Sequence, residues 1–162
     1  MNEFEINIKA KHYGSISELD ETERRLLEAA NEATKASYAP YSKFNVGSAV
    51  LLENGEIITG SNQENNAYPS GLCAERVAVF YANAKYPNVA IKAIAISSAV
   101  DNKINDSTVY PCGACRQVLV ESENRQNVKI KLIMGSAKSV IVVDSVSLML
   151  PFTFDLDKMM KP

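Results

Sequence analysis

The chain has 162 residues, 46% of them hydrophobic and 22% charged, with a formal net charge of -2; this is the balance of a single globular domain that folds without disulfide staples. No basic bias favours a polyanionic partner, which argues against nucleic acid, and no apolar run approaches the roughly 18 residues of a membrane span. The opening Met1-Asn2-Glu3-Phe4-Glu5-Ile6 carries acid where a secretory leader carries lysine, so a cytoplasmic protein with no membrane partner is expected.

Residues 1–19 read as a polar amino-terminal arm, and residues 20–162 as one domain without repeats or low-complexity tracts. Asp20 is a helix start, with Glu23 placed to complete a capping box, and Leu26, Leu27, Ala30, Ala33 and Ser37 fall on one face at helical spacing. Ala39-Pro40 ends that run, because the residue before proline is pushed out of helical geometry. Val46 to Leu52 and Glu56 to Gly60 follow as a hairpin joined at Asn54-Gly55. Beyond it the order becomes alternating. Helices are predicted over Cys73 to Ala84 and Cys112 to Glu123, strands over Val89 to Ser98, Val128 to Met134 and Ser139 to Val143, and a helical turn over Ser145 to Leu150. The fold class is α/β, a layered α/β/α sheet preceded by a helix and a hairpin.

All three cysteines sit at predicted helix starts: Cys73 heads one, and Cys112 and Cys115 head the other. An odd count containing a C-x-x-C pair fits a reducing compartment and metal or redox chemistry, not a disulfide framework. One helical turn brings Cys112 and Cys115 to the same side, and Cys73 supplies a third sulfur. Helix amino termini favour thiolates. A structural zinc wants four protein ligands, whereas a hydrolytic zinc keeps three and leaves a position for water. Three thiols match the second arrangement. The lone histidine, His12, lies far upstream and could join only if the arm folded over the site. Three thiolates leave a net negative charge around a dication, and Arg76 is placed to donate to a sulfur and offset it. Glu75, two residues past a ligand, could act as general base and acid at the open position.

The signature of a cysteine two before a glutamate, followed by Pro-Cys-x-x-Cys, is that of zinc nucleobase deaminases. With Cys73-Ala74-Glu75-Arg76 and Pro111-Cys112-Gly113-Ala114-Cys115-Arg116-Gln117 both present, the chain resembles the small homotetrameric cytidine deaminases, and the likeness runs from about Leu26 to Phe154. It implies one Zn2+ per subunit on Cys73, Cys112 and Cys115, with Glu75 as the catalytic proton carrier. It also implies hydrolytic deamination of cytidine and deoxycytidine in pyrimidine salvage. Pro40-Tyr41-Ser42-Lys43-Phe44 resembles the segment that sets an aromatic ring, here Phe44, against the pyrimidine. Asn62-Gln63-Glu64-Asn65 resembles the ribose-binding segment, with Asn62 and Glu64 on the sugar hydroxyls. By the same likeness the Ala74 N–H holds the base carbonyl, and Phe154 and Tyr68 border a neighbouring subunit's site. Asn45 stands where the family usually has proline, Pro69-Ser70-Gly71 departs from the usual run before the first cysteine, and the arm before Asp20 and the stretch Asp101 to Val109 resemble additions.

Other functions are less well supported by the residues. A single histidine gives a Ser-His-Asp triad no basis, and no glycine-rich loop suggests triphosphate chemistry. A related deaminase acting on a free base or a cytosine-containing antibiotic would have no use for a ribose segment. A zinc-stabilised binding module would need a fourth protein ligand and leaves Glu75 without a purpose.

Overall fold

Asp20 opens the first long element. In the computed structural model of the chain, which describes residues 1–160, its side chain accepts the Glu23 N–H at 2.8 Å, and helix α1 runs Glu21–Ala33. The capping box is only half made. Glu23 does not reach back to the cap; its Oε1 takes an ion pair from Lys131 Nζ at 2.6 Å, which ties the head of α1 to a distant strand. Leu26, Leu27 and Ala30 are buried as expected, whereas Ala33 and Ser37 are only half-buried and Thr34 takes the inward position. The helix tightens into a 3-10 turn over Thr34–Ala36, so it has already ended when Pro40 is reached.

The strands are β1 (Lys11–Tyr13), β2 (Asn45–Leu52), β3 (Ile57–Ser61), β4 (Ile91–Val100), β5 (Lys103–Ile104), β6 (Lys131–Gly135) and β7 (Val140–Val143). The remaining helices are α2 (Ala74–Lys85), α3 (Gly113–Gln126) and α4 (Leu156–Met160). The sheet runs β1-β7-β6-β4-β2-β3, with β5 paired to β4. Only β4 and β6 are parallel, as a crossover through a helix requires; that helix is α3. A 3-10 turn at Val146–Met149 fills the expected helical turn.

Side chains alternate across the sheet and sort by size. Ala49, Ala93, Ala95, Ile133 and Val142 face α1. Val50, Ile94, Ile96, Leu132, Met134 and Val143 face α2 and α3. Three layers result, the α/β/α arrangement expected. The alanine face lets α1 settle close: a Cβ on Gly47 would lie 2.1 Å from the Ala30 carbonyl oxygen.

Two local readings are refined. The arm is not wholly outside the domain, because Lys11, His12 and Tyr13 pair with Val142, Ile141 and Val140 as the edge strand β1, and Tyr13, Ile16 and Leu19 pack on the α1 face. Residues 161–162 of the expected domain lie outside the described residues. The Asn54-Gly55 hairpin closes through three residues: Gly55 N–H bonds to the Leu52 carbonyl, Leu52 N–H bonds to Glu56, and Gly55 alone has φ +87°. That is a tight turn followed by a left-handed glycine. A two-residue turn at Asp101 and Asn102 (φ 50° and 61°) joins β4 to β5 inside the stretch read as an addition.

Helix α3 is locked by polar clamps as much as by its apolar face. Buried Glu123 accepts the N–H of Ile130 at 2.7 Å, the N–H of Val146 at 3.2 Å and the Ser145 hydroxyl at 2.6 Å. Gln126 exchanges two hydrogen bonds with the Ile91 backbone. Both clamps lie in the last turn of α3, so they fix the end of the crossover that leads into β6. Glu123→Ala leaves these donors without partners and is expected to cost roughly 2–4 kcal/mol. Urea unfolding of the zinc-loaded protein measures this, and an unchanged midpoint would show that the clamp is not structural.

Candidate active site

Cys73 and Cys112 occupy the same position on two helices: each is the residue immediately before the first turn, Cys73 at α2 and Cys112 at α3. Neither side chain caps its own helix. The sulfurs turn to each other, 3.9 Å apart, and Cys115 in the first turn of α3 completes a cluster whose sulfurs all lie within 4.8 Å of one another. A tetrahedron with metal–sulfur bonds of about 2.3 Å has edges of about 3.8 Å. The cluster therefore fits one zinc ion. Among the described residues no fourth metal ligand joins it, and His12 lies opposite Ile141 on the edge strand. A closed structural site, which the binding-module reading needs, is not formed.

What brings the two helix starts together is a pair of close contacts. Strand β3 passes α2 at Gly60, where a Cβ would lie 2.5 Å from the Ala78 nitrogen and 2.8 Å from the Ala74 carbonyl oxygen; any side chain there would lift α2 and Cys73 off the sheet. Arg116, just after Cys115, donates from Nε to the Pro111 carbonyl at 2.8 Å and from Nη1 to the Met149 carbonyl at 3.2 Å. This holds the loop entering α3.

The thiols are electrostatically unequal. The Cys73 thiol is brought down to about 5, chiefly by the Cys115 S–H, then by Arg76 and Cys112, against the effect of burial. Cys115 is pushed up in turn, because it donates to Cys73 and is desolvated beside Glu75. Arg76 Nη2 lies 3.8 Å from the Cys73 sulfur and 3.5 Å from the Gly71 carbonyl oxygen, the contact read from its sequence position. Glu75 is 4% exposed, and burial raises its carboxyl above the ordinary range, with the charge of Cys73 adding to the effect. Ala74 is the first residue of α2, so its N–H has no acceptor within the helix.

Beside Cys73 and Arg76 opens a cleft of ≈ 590 Å³ whose other walls include Tyr41, Asn62, Glu64, Tyr68 and Leu72. The structure thus brings Asn62, Glu64 and Tyr68 to the metal cluster. Asn62 and Glu64 are also occupied in holding the loop before β2. Asn62 Oδ1 accepts the Val46 N–H at 2.8 Å and the Ser37 hydroxyl, and its Nδ2 donates to the Phe44 carbonyl at 2.9 Å. Glu64 Oε2 accepts the N–H groups of Tyr41 and Ser42 at 2.9 and 3.3 Å. Hydrogen bonds from Ser42 and Tyr41, with Lys43 nearby, hold the Glu64 carboxyl below the usual range.

Two expected residues lie elsewhere. Phe44 lines a separate cleft with Ser98 and residues 105–110. Phe154 sits beyond α3, where Gln117 takes its N–H at 3.2 Å and donates to its carbonyl at 2.8 Å. Tyr41, whose ring meets Tyr68 edge-on with centroids 6.2 Å apart, and the Gln117 clamp were not singled out from sequence. No local pattern marks a glutamine as the partner of a segment 37 residues on.

A family model for the cytidine and deoxycytidylate deaminase zinc-binding region matches residues 20–131. The chain is 37% identical to a cytidine deaminase of Halalkalibacterium halodurans over 83% of its own length and 95% of that protein's. It is 36% identical to one of Sporosarcina psychrophila over 80% and 89%. Among solved structures, a cytidine deaminase of Burkholderia pseudomallei superposes with a TM-score of 0.66 and 34% identity, over 80% of this chain and 97% of that one.

Metal thiolates must shed their protons before they bind, and Arg76 favours the Cys73 thiolate. Its removal raises that thiol, so protons compete for the sulfur at higher pH. Arg76→Ala is therefore expected to shift the pH of half-maximal zinc release upward, measured with a chromophoric chelator. A superimposable titration would refute the role.

Proposed function

Because the chain belongs to the cytidine and deoxycytidylate deaminases that share this zinc-binding region, we propose that it catalyses the hydrolytic deamination of cytidine and deoxycytidine to uridine and deoxyuridine, with release of ammonia. The observation that carries this reading is the buried carboxylate of Glu75 beside a cluster of three thiols that would hold one zinc ion and that, among the described residues, no fourth protein ligand joins.

When bound, the zinc supplies a water acidic enough to attack at neutral pH. Glu75 does the proton work. Its burial lifts it toward a range where it can both accept and give a proton. It takes the proton of the attacking water and delivers it to the ring nitrogen next to the amino-bearing carbon. It then passes the second water proton to the departing amino group, which leaves as ammonia. The N–H of Ala74, unused in α2, orients the base carbonyl. Glu64 and Asn62 present the cleft wall to the ribose, and the hydrogen bonds that hold them to the 38–46 loop keep that wall rigid. Arg76 partly neutralises the thiolates. Phe44, the ring that the family likeness sets against the pyrimidine, lines the separate cleft of Ser98 and residues 105–110 in this chain, and no stacking role is assigned to it.

The reading extends to a cytoplasmic enzyme of pyrimidine salvage that works as a homotetramer. Tyr68, 78% exposed, and Phe154, 63% exposed, then border a neighbouring subunit's site. The placement of Phe154 away from its own chain's cleft supports this division of labour.

Zinc-loaded protein is expected to convert cytidine to uridine, followed by loss of ultraviolet absorbance with ammonia measured in the same tube. Glu75→Gln is expected to keep its zinc and lose about 10²–10⁴-fold in turnover; normal turnover in that variant would end the mechanism. For the assembly, sedimentation of active enzyme is expected to give a tetramer, and a fully active monomer would exclude shared sites.

A further inference from the structure

Residues 1–10 lie outside every regular element and are all exposed, yet they are patterned like a strand. Phe4, Ile6 and Ile8 alternate with Glu3, Glu5, Asn7 and Lys9, the period of a strand with two unlike faces. The three apolar side chains are 76%, 46% and 51% exposed. The Phe4 ring meets the Phe152 ring edge-on at 6.5 Å, and Phe152 is itself 78% exposed. The segment runs directly into β1, the last strand on its side of the sheet, bonded on its inner edge to β7. An unpaired strand edge of this kind is a template for another strand.

The charges identify that other strand. Acids stand at 3 and 5 and bases at 9 and 11, symmetrically about Asn7. Laid antiparallel on a copy of itself with Asn7 opposite Asn7, the segment sets Glu3 against Lys11, Phe4 against Ala10, Glu5 against Lys9 and Ile6 against Ile8. Every charged residue meets its opposite, Lys11 adding Glu3 to the exposed 3.4 Å contact it makes with Asp144 of its own chain, and every apolar residue meets an apolar one. Moving the axis to Ile6 or to Ile8 keeps only one of the two opposite-charge pairings. Opposite charges directly across an antiparallel pair stabilise it and like charges destabilise it, and a two-fold contact requires such self-complementarity.

We propose that residues 3–11 pair with the same residues of a second copy of this chain, as antiparallel strands related by a two-fold axis through Asn7, joining two copies through the arms that lead into β1. The arm is thus an interaction element. It lies outside residues 20–131, which carry the deaminase likeness, and the inference does not depend on the catalytic reading.

Residues opposite each other on antiparallel strands have Cα atoms about 4.5–5.5 Å apart, within disulfide reach. Zinc-loaded Asn7→Cys protein is therefore expected to form a disulfide-linked dimer on mild oxidation, read on a non-reducing gel against the unmodified chain, whose own three cysteines serve as background. Glu3→Cys should not, because its two copies lie about 8 residues out of register, roughly 26 Å apart. Adding Glu5→Lys to Asn7→Cys is expected to slow cross-linking about tenfold, and adding Lys9→Glu as well restores it by inverting both pairs. Cross-linking of Asn7→Cys no faster than background, equal cross-linking from Glu3→Cys, or indifference to the charge inversions would each overturn the proposal. Those results are also what an arm folded on its own chain, or bound to a different protein, would give.

Discussion

Everything at the candidate active site depends on two helices beginning at the same point in space. Cys73 and Cys112 are each the last residue before a helix, and their sulfurs stand 3.9 Å apart. As metal ligands these sulfurs are thiolates, and like charges at that distance repel. The scaffold must hold them together against that repulsion before a cation relieves it. The bare glycine face at Gly60 seats α2 on β3, and the Glu123 and Gln126 clamps set α3 in the crossover between β4 and β6. The metal site is a property of helix placement, and the ligands follow from it.

The same placement explains the carboxylate. Because α2 is pressed onto the sheet, Glu75 in its first turn is buried instead of solvated, and burial raises its carboxyl. One packing contact thus serves both the thiol cluster and, in the proposed mechanism, proton transfer by Glu75. Around this rigid centre the cleft wall is built from loops held by side-chain hydrogen bonds to backbone, above all those of Asn62 and Glu64. These residues shape the loop and, under the proposed function, also face the substrate. A change at either position would disturb the 38–46 loop as well as remove a contact.

The periphery is organised differently. Phe154 is presented by Gln117 on the far side of α3, and the amino-terminal segment ends in an open edge strand. Both point outward from the fold. The core is thus finished within one chain, while aromatic and charged features at its two ends stay exposed.

The three-cysteine cluster, the place of Glu75 beside it and the helix starts were legible because they are encoded locally: a cap position, a three-residue spacing and a helical period each fix geometry within one turn. For the same reason the hairpin was placed correctly, although its turn type depended on one positive φ at Gly55. Strand β1 was not legible, since three residues of mixed polarity become a strand only when β7 offers an edge. Glu23 was read as a cap partner, but a lysine from β6 reached it first. Asn62 was read as a ligand residue, and the fold set its amide to hold β2 in place. The sequence by itself determined the chemistry, because ligand type and spacing are short-range properties. Tertiary structure alone decided which polar groups meet across the fold, because those partners lie tens of residues apart and are chosen by packing.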